Sequence, residues 1–414
     1  MSAVGRFTQS AEQEESPDRE IAARSPRIKI LYIIDYFHRT GGTEKYLVQL
    51  IAGLPESEFA CSVVAFDLGA NPLLDELRAR GVPIVNLPVG REYAPHAAVQ
   101  AWRLARLVRA KRYDIVQTMH QKADSYGAAI ARLSGCRHVI CSKRDTGALR
   151  QPWHFFINRR LRWLFDACIV VAEAVRTTVI TKDGIAPSRI VTIYNGVDIA
   201  RFAPPGVAQR SAARAQLGLG ARDFVVGMVA AFRPEKNHDT FFAGLLQALP
   251  HMPDLKVLAV SAGPKLAQWR EQIAVMALGI RIVFTGDVGD VVPYLWAMDA
   301  GCLTPGSNEG FSNAIIEQMA VGLPMIVTAV GGNAEAVVDG ESGRVIAPFD
   351  TAALARALIE LYADPSRTAA WGRAARERVE EKFSVVHMCA EHARLYRSLY
   401  RSEARAASHG AERD

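Results

Sequence analysis

Short β-branched runs separated by helix-length stretches recur along this chain in two series, and that alternation admits few architectures. The first series is Arg27 to Tyr36, Ala60 to Asp67, Pro83 to Pro88, Asp114 to His120, His138 to Lys143, Ala167 to Ala172 and Ile190 to Tyr194. Phe202-Ala203-Pro204-Pro205-Gly206 interrupts it as a linker would. A second series follows, with Phe224 to Ala231, Leu255 to Ala262, Ile280 to Thr285, Ala300 to Thr304, Pro324 to Ala329 and Arg344 to Ile346. Strands alternating with helices predict parallel sheets, because each parallel pair needs a long crossover. Most runs are apolar throughout, so helices should cover both faces of each sheet. The fold class expected is therefore α/β, with two Rossmann-like halves, and 414 residues, 50% of them hydrophobic, suffice for both cores. From Asp364 to Arg405 the pattern turns helical, with Trp371, Val379, Phe383, Leu395, Tyr396 and Leu399 as apolar markers.

Residues 1–26 are polar and rich in Glu, Ser and Arg, and read as a disordered leader rather than a secretory signal. No run reaches the ~20 apolar residues that cross a bilayer, so any membrane contact should be peripheral. The 6 cysteines stand singly, without CxxC pairs or Cys/His spacing for zinc, which suits a reducing cytoplasm. The formal charge of +6 is uneven: residues 101–163 carry fourteen Lys/Arg against three acids, interleaved with Trp102, Trp153, Phe155, Phe156 and Trp163. That mixture suits an anionic lipid surface at the inner face of a membrane or a phosphate-bearing acceptor; a solvated helical face over aromatic core residues accounts for it as well. No nucleic-acid-binding motif accompanies the charge.

Open sheets of this type bind ligands beyond the carboxyl ends of their strands, so the cleft between the halves is the expected site. The most informative segment, Pro305 to Ala320, is a strand end, a glycine-bearing loop and a helix starting near Ser312 or Asn313, both good cap residues. The amides at such a helix start, with the dipole behind them, form a site for pyrophosphate. Glu309 in the loop can accept hydrogen bonds from sugar hydroxyls, and Glu317, just over a turn into the helix, can hold a ribose diol. A surface loop acid and a dipole partner are the structural alternatives.

Glu309-Gly310-Phe311-Ser312-Asn313-Ala314-Ile315-Ile316-Glu317 resembles the E-x7-E motif of the family 4 retaining glycosyltransferases of GT-B fold, the bacterial polysaccharide and glycolipid type. The similarity runs from about Lys29 to the C-terminal helix. Tyr194-Asn195-Gly196-Val197-Asp198 with Phe202 resembles the family's N-G-V-D-x-x-x-F stretch. Gly331-Gly332-Asn333-Ala334-Glu335 and Asp339-Gly340-Glu341-Ser342-Gly343 resemble its later glycine-rich turns. The resemblance implies an N-terminal acceptor domain at 27–203, a donor domain at 204–384, a helix at about 385–403 returning to the first domain, and a tail at 404–414.

The resemblance also assigns roles. Lys236 matches the family lysine that holds the donor phosphates, but the arginine expected five residues earlier is Ala231, and Arg233 is the nearest cation. Gly41 and Gly42, after the first strand, lie where the family places the donor phosphates and acceptor; a tight turn explains them equally. His120 resembles a histidine near the transferred sugar, and Arg144 with Asp145 falls on the acceptor side. Glu309, His120, Lys236 and Arg233 are thus the catalytic candidates. Gly41, Gly42, Arg233, Lys236, Glu309, Gly310, Phe311, Ser312, Asn313 and Glu317 are the donor-binding ones.

No Asp-x-Asp pair occurs in the chain, so Lys236, Arg233 and helix amides should neutralise the departing diphosphate without a metal ion or cofactor. The expected partners are a nucleotide sugar donor and a glycan or lipid-linked acceptor, not nucleic acid. A nucleotide-sugar epimerase, a phosphorylase on the same fold and a non-catalytic nucleotide-binding subunit are the competing readings.

Overall fold

A computed structural model of the chain describes residues 27–411 except 39, 40, 93, 149, 277 and 280, with side chains described to 401. The leader expected at 1–26 lies outside the described residues. The first half contains seven parallel strands: β1 (Ile28–Ile34), β2 (Phe59–Ala65), β3 (Ile84–Asn86), β4 (Ile115–Met119), β5 (His138–Lys143), β6 (Ala167–Val170) and β7 (Ile190–Thr192), in the order β3-β2-β1-β4-β5-β6-β7. The second contains six: β8 (Phe224–Val229), β9 (Leu255–Val260), β10 (Ile282–Gly286), β11 (Ala300–Leu303), β12 (Met325–Thr328) and β13 (Gly343–Ile346), in the order β10-β9-β8-β11-β12-β13. In each sheet the order reverses beside the first strand, between β1 and β4 and between β8 and β11, and the loops leaving these strands open a crevice.

Both faces of the first sheet are covered, as the apolar runs require: Ile30 to Ile34 and every residue of β4 and β5 are buried. On one face lie the helices Gly42–Gly53, Pro72–Ala79 and Val385–Ala411, which pack Tyr46, Leu50, Leu74, Met388 and Tyr396 into a common core. Tyr46, Leu47, Leu50 and Ile51 fall on a single stripe of the helix Gly42–Gly53, which stops where Leu54 turns extended before Pro55. On the other face Leu104 and Val108 of the helix Pro95–Lys111 and Ala131 of the helix Ala128–Leu133 complete the second core.

The last helix belongs physically to the first domain and runs past 403 to Ala411. Buried polar groups fix its register: Tyr46 Oη lies 2.5 Å from His392 Nε2, and Tyr396 Oη donates to Gln117 Oε1 at 2.6 Å. Arg397 grips Glu58 with two nitrogens, at 2.7 and 2.6 Å. The chain therefore crosses between domains twice, and the crossings are hydrogen-bonded to each other. Val197 donates to Phe383 O at 2.8 Å and accepts from Val385 N at 3.0 Å. A Cβ on Gly196 would stand 2.6 Å from Val385 Cα, so only glycine lets the two crossings lie this close. Tyr194, Phe311 and Phe383 pack at ring-centroid distances of 5.0 to 5.3 Å beside them.

Candidate functional site

One wall of the crevice is built by the loops leaving β8, β11 and β12. After β11 the chain turns through Asn308, at φ 53°, a left-handed conformation that Asn tolerates better than most residues. Helix Asn313–Ala320 then begins. Its cap residue Ser312 makes no side-chain cap bond, so no hydroxyl competes with a ligand for the first-turn amides. After β8, the short turn Pro234–Lys236 carries the Lys236 ammonium to within 2.5 Å of Glu309 Oε2. Glu309 is held from behind by a glycine pair. At Gly331, with φ 56°, a Cβ would fall 1.8 Å from Glu309 O, and the Gly332 amide donates to Gly310 O at 2.7 Å. Beneath the lysine turn, His238 is buried and stacked on Phe232 at 4.1 Å; burial pushes its imidazole down to about 4, so it is neutral.

The first domain supplies the facing wall. Gly41 caps the helix Gly42–Gly53, and the Glu44 carboxylate folds over it, where a Cβ would meet Glu44 Oε2 at 2.5 Å. Burial raises the Glu44 pKa, against lowering contributions from backbone amides, Arg144 and His38. His120 leaves β4 at φ 76°, a strained conformation for a bulky residue, and stacks on Tyr36 at 4.6 Å. Burial, then Arg144, push its imidazole down to about 4. The Arg144 guanidinium lies 3.7 Å over the Tyr46 ring and donates to Asn195 Oδ1 at 2.5 Å. Asp145 pairs with Arg150 at 3.0 Å and closes its own turn onto the Gly147 amide.

Lys143, sequence neighbour of these two, faces inward. It is fully buried against Asp124 at 2.7 Å, and Asp124 and Asp183 together overcome desolvation and hold its ammonium above the ordinary range. Among the described residues, Glu44 Oε1, His120 Nδ1, Arg144 Nη1 and Asn308 Oδ1 are buried and find no hydrogen-bond partner. An unpaired buried polar atom costs roughly 1–3 kcal/mol, so these four, on both walls, mark where a polar ligand would restore the missing bonds.

The two walls touch. A Cβ on Gly310 would lie 2.1 Å from Arg144 O, so the loop after β11 and the Arg144 loop are in backbone contact. Asn195 Nδ2 donates to Phe311 O at 2.9 Å and Asn313 Oδ1 at 2.7 Å, and Gly42 packs on the same Asn313 side chain. Glu335 of the second domain accepts from the amides of Glu173 and Ala174, at 2.8 Å each, and from Tyr194 Oη at 2.9 Å.

Glu309, Lys236, Gly310, Ser312, Asn313, Gly41, Gly42, Arg144 and His120 are thus gathered around one crevice. Glu317 follows in the helix Asn313–Ala320, where burial raises its carboxyl and Lys45 and Arg201 pull it back. The Phe311 ring is turned into the junction with Tyr194 and Phe383, which leaves its backbone, not its ring, for a donor. Among the described residues the exposed Arg233 side chain donates no hydrogen bond and forms no ion pair, unlike Lys236 three residues on. Asn195 and Glu335, which in the sequence carry only a family resemblance, make side-chain hydrogen bonds between the domains. Among the described residues no three His, Cys, Asp or Glu side chains are grouped to hold a metal ion. Nor is any helix there long and apolar enough to cross a membrane.

The arrangement has known counterparts. Residues 40–201 match the family model described as Glycosyltransferase Family 4, and residues 223–364 the model described as Glycosyl transferases group 1. The lipopolysaccharide core biosynthesis mannosyltransferase LpsB of Rhizobium meliloti is 30% identical over 266 residues, covering 63% of this chain and 70% of that protein. The GDP-mannose-dependent alpha-(1-6)-phosphatidylinositol monomannoside mannosyltransferase of Mycolicibacterium smegmatis is 27% identical over 358 residues, 84% of this chain and 92% of its own. Among solved structures, Anabaena HepE in complex with UDP superposes with a TM-score of 0.80 at 22% identity, over 89% of this chain and 100% of that one, a likeness of fold.

Proposed function

The chain belongs to the family 4 glycosyltransferases of GT-B fold, and from that premise we propose that it transfers a sugar from a nucleotide diphosphate donor with retention at the anomeric carbon and without a metal ion. The observation that carries this reading is the Lys236–Glu309 pair, 2.5 Å apart beside an uncapped helix start and facing Gly42 and Arg144. A diphosphate seated on the amides of that helix draws Lys236 toward itself, which frees Glu309 to accept hydrogen bonds from the sugar. In this reading Glu317 holds the ribose, and Arg233 swings from solvent onto the outer phosphate. Neutral His120, with an unpaired Nδ1, serves the sugar hydroxyls.

In the reaction, the acceptor oxygen bonds to the anomeric carbon as the bond from that carbon to the diphosphate breaks. The acceptor proton passes to a donor phosphate oxygen on the same face. The charge that develops on the leaving diphosphate is met by Lys236 and the helix dipole, groups already oriented before reaction. Arg144 and Asp145 lie on the acceptor side. Mannosyltransferase relatives of the bacterial envelope make GDP-mannose the first donor to test, with a glycan or lipid-linked precursor at the inner face of the membrane as acceptor.

Incubating GDP- and UDP-sugars with and without envelope lipid or glycan extracts tests the reading. Nucleotide diphosphate release that depends on acceptor, and is abolished in Glu309→Ala, is expected. Conversion of donor alone would indicate an epimerase, and a requirement for inorganic phosphate a phosphorylase; either result contradicts transfer. Donor binding without turnover over the whole panel would point to a non-catalytic subunit.

A further inference from the structure

The helix Pro152–Leu161 and the following turn Arg162–Leu164 carry aromatic rings on their outer face, where a domain on its own would place polar groups. Trp153, Phe156 and Trp163 are 56, 61 and 62% exposed, and the spacing 153, 156, 160, 163 puts them on one stripe with Arg160. Arg159, Arg160 and Arg162 are exposed beside them, and Phe156, Trp163 and these three arginines line a shallow depression of about 500 Å³. No acid occurs between Gln151 and Leu164, and Asp166, the next one, is taken by Arg132 at 2.5 Å. Among the described residues none of the three arginines is paired with a carboxylate; Arg160 lies instead 5.2 Å over the Phe156 ring.

We propose that this face, built from Trp153, Phe156, Arg159, Arg160, Arg162 and Trp163, docks the protein on an anionic lipid bilayer. Unbalanced arginine charge meets the lipid phosphates while the rings enter the boundary between headgroups and acyl chains. A second copy of the chain does not fit, since the same face would bring like charges together. The opposite side of the helix leads to the crevice. Buried Asn158 donates to Asp183 Oδ1 at 2.9 Å, and Asp183 faces Lys143 and Arg150 beneath the Arg144 loop. The Phe155 ring packs against Gly147 of that loop, where a Cβ would meet it at 3.1 Å. A docked helix therefore sets the acceptor wall of the cleft toward the bilayer. This last consequence rests on the transferase reading; the docking itself does not.

The full chain is mixed with phosphatidylcholine vesicles, with or without phosphatidylglycerol, and sedimented without any nucleotide. Binding is expected only with the anionic lipid. The triple variant R159Q/R160Q/R162Q should bind on the order of a hundredfold more weakly, at about fivefold per arginine. W153S/F156S/W163S should lose the binding that survives added salt. Both variants should melt with the wild type, because the altered side chains are exposed. Equal binding to phosphatidylcholine alone, unchanged binding of the arginine variant, or retention by an oligonucleotide but not by vesicles would overturn the assignment. Nucleoside diphosphate binding, measured without lipid, reads the transferase proposal separately.

Discussion

Replacing Asn195 with Ala should open the cleft while leaving both domains folded. The Asn195 side chain is 4% exposed and makes three hydrogen bonds at the junction: to Phe311 O at 2.9 Å, to Asn313 Oδ1 at 2.7 Å, and from Arg144 at 2.5 Å. The first two join the domains directly and are neutral, worth about 1 kcal/mol each; the third involves a charged donor and is worth about 2 kcal/mol. Loss of the two crossing bonds shifts closure by about 2 kcal/mol, or about 30-fold, while the Arg144 bond lies within the first domain and does not count toward closure. Because closure completes the site, kcat/KM should fall by about that factor. The radius of gyration from small-angle scattering should rise, and the melting temperature should change little. Asn195→Asp separates the contributions: it can still accept from Arg144 but has no donor, and it sets a carboxylate against two oxygens. It should be at least as impaired as the alanine variant. An Asn195→Asp enzyme within about threefold of wild type, or an Asn195→Ala protein with an unchanged scattering profile and a lowered melting point, would refute this role.

Lys236→Ala should lower kcat/KM by about 100- to 1000-fold, the usual cost of one positioned donor to a developing anion, and Arg233→Ala by less than about tenfold, because it stands exposed and unpaired. Equal losses would place Arg233 in the site at rest. Activity should persist in excess EDTA, and complete loss restored by magnesium or manganese would overturn the metal-independent reaction. Burial holds His238 and His392 down to about 4, so each should cost stability as pH falls from about 6.5 to about 4, against an opposite contribution from Asp35, whose carboxyl burial pushes up to about 7. Each imidazole is neutral in the fold, so the unfolded chain binds more protons there in that window, and the stability present above it is lost by up to about 3 kcal/mol per histidine. Melting temperature against pH, taken for wild type and His392→Gln together, reads this: the variant should lose less stability than the wild type as pH falls through that window, and parallel curves would contradict the assignment.

All thirteen strands were legible in the sequence, because a short run apolar on both faces suits a parallel strand covered by helices on either side and little else. Their ends were less so. Asp35, expected inside the first strand, leaves it to accept the amides of Lys122 and Ala123, and burial pushes its carboxyl up to about 7. The Glu309 to Glu317 spacing announced the donor loop, and its helix begins at Asn313 as the cap residues suggested. What could not be read was direction. Nothing in the local pattern says that the Phe311 ring turns to Tyr194 and Phe383, that Lys143 points into a buried acid pair while Arg144 enters the cleft, or that Arg233 remains in solvent. The interdomain bonds of Asn195 and the Tyr194–Glu335 bond link residues more than a hundred positions apart, and only the folded chain brings such partners together.

Equilibrium binding of nucleoside mono- and diphosphates to the wild type and to Lys236→Met tests the diphosphate seat most directly. The diphosphate should bind at least about tenfold more tightly than the monophosphate to the wild type, and the difference should vanish in the variant. Equal affinity for the two nucleotides, or a substitution that weakens both alike, would mean that the second phosphate rests elsewhere than beside Lys236 and the start of the helix Asn313–Ala320.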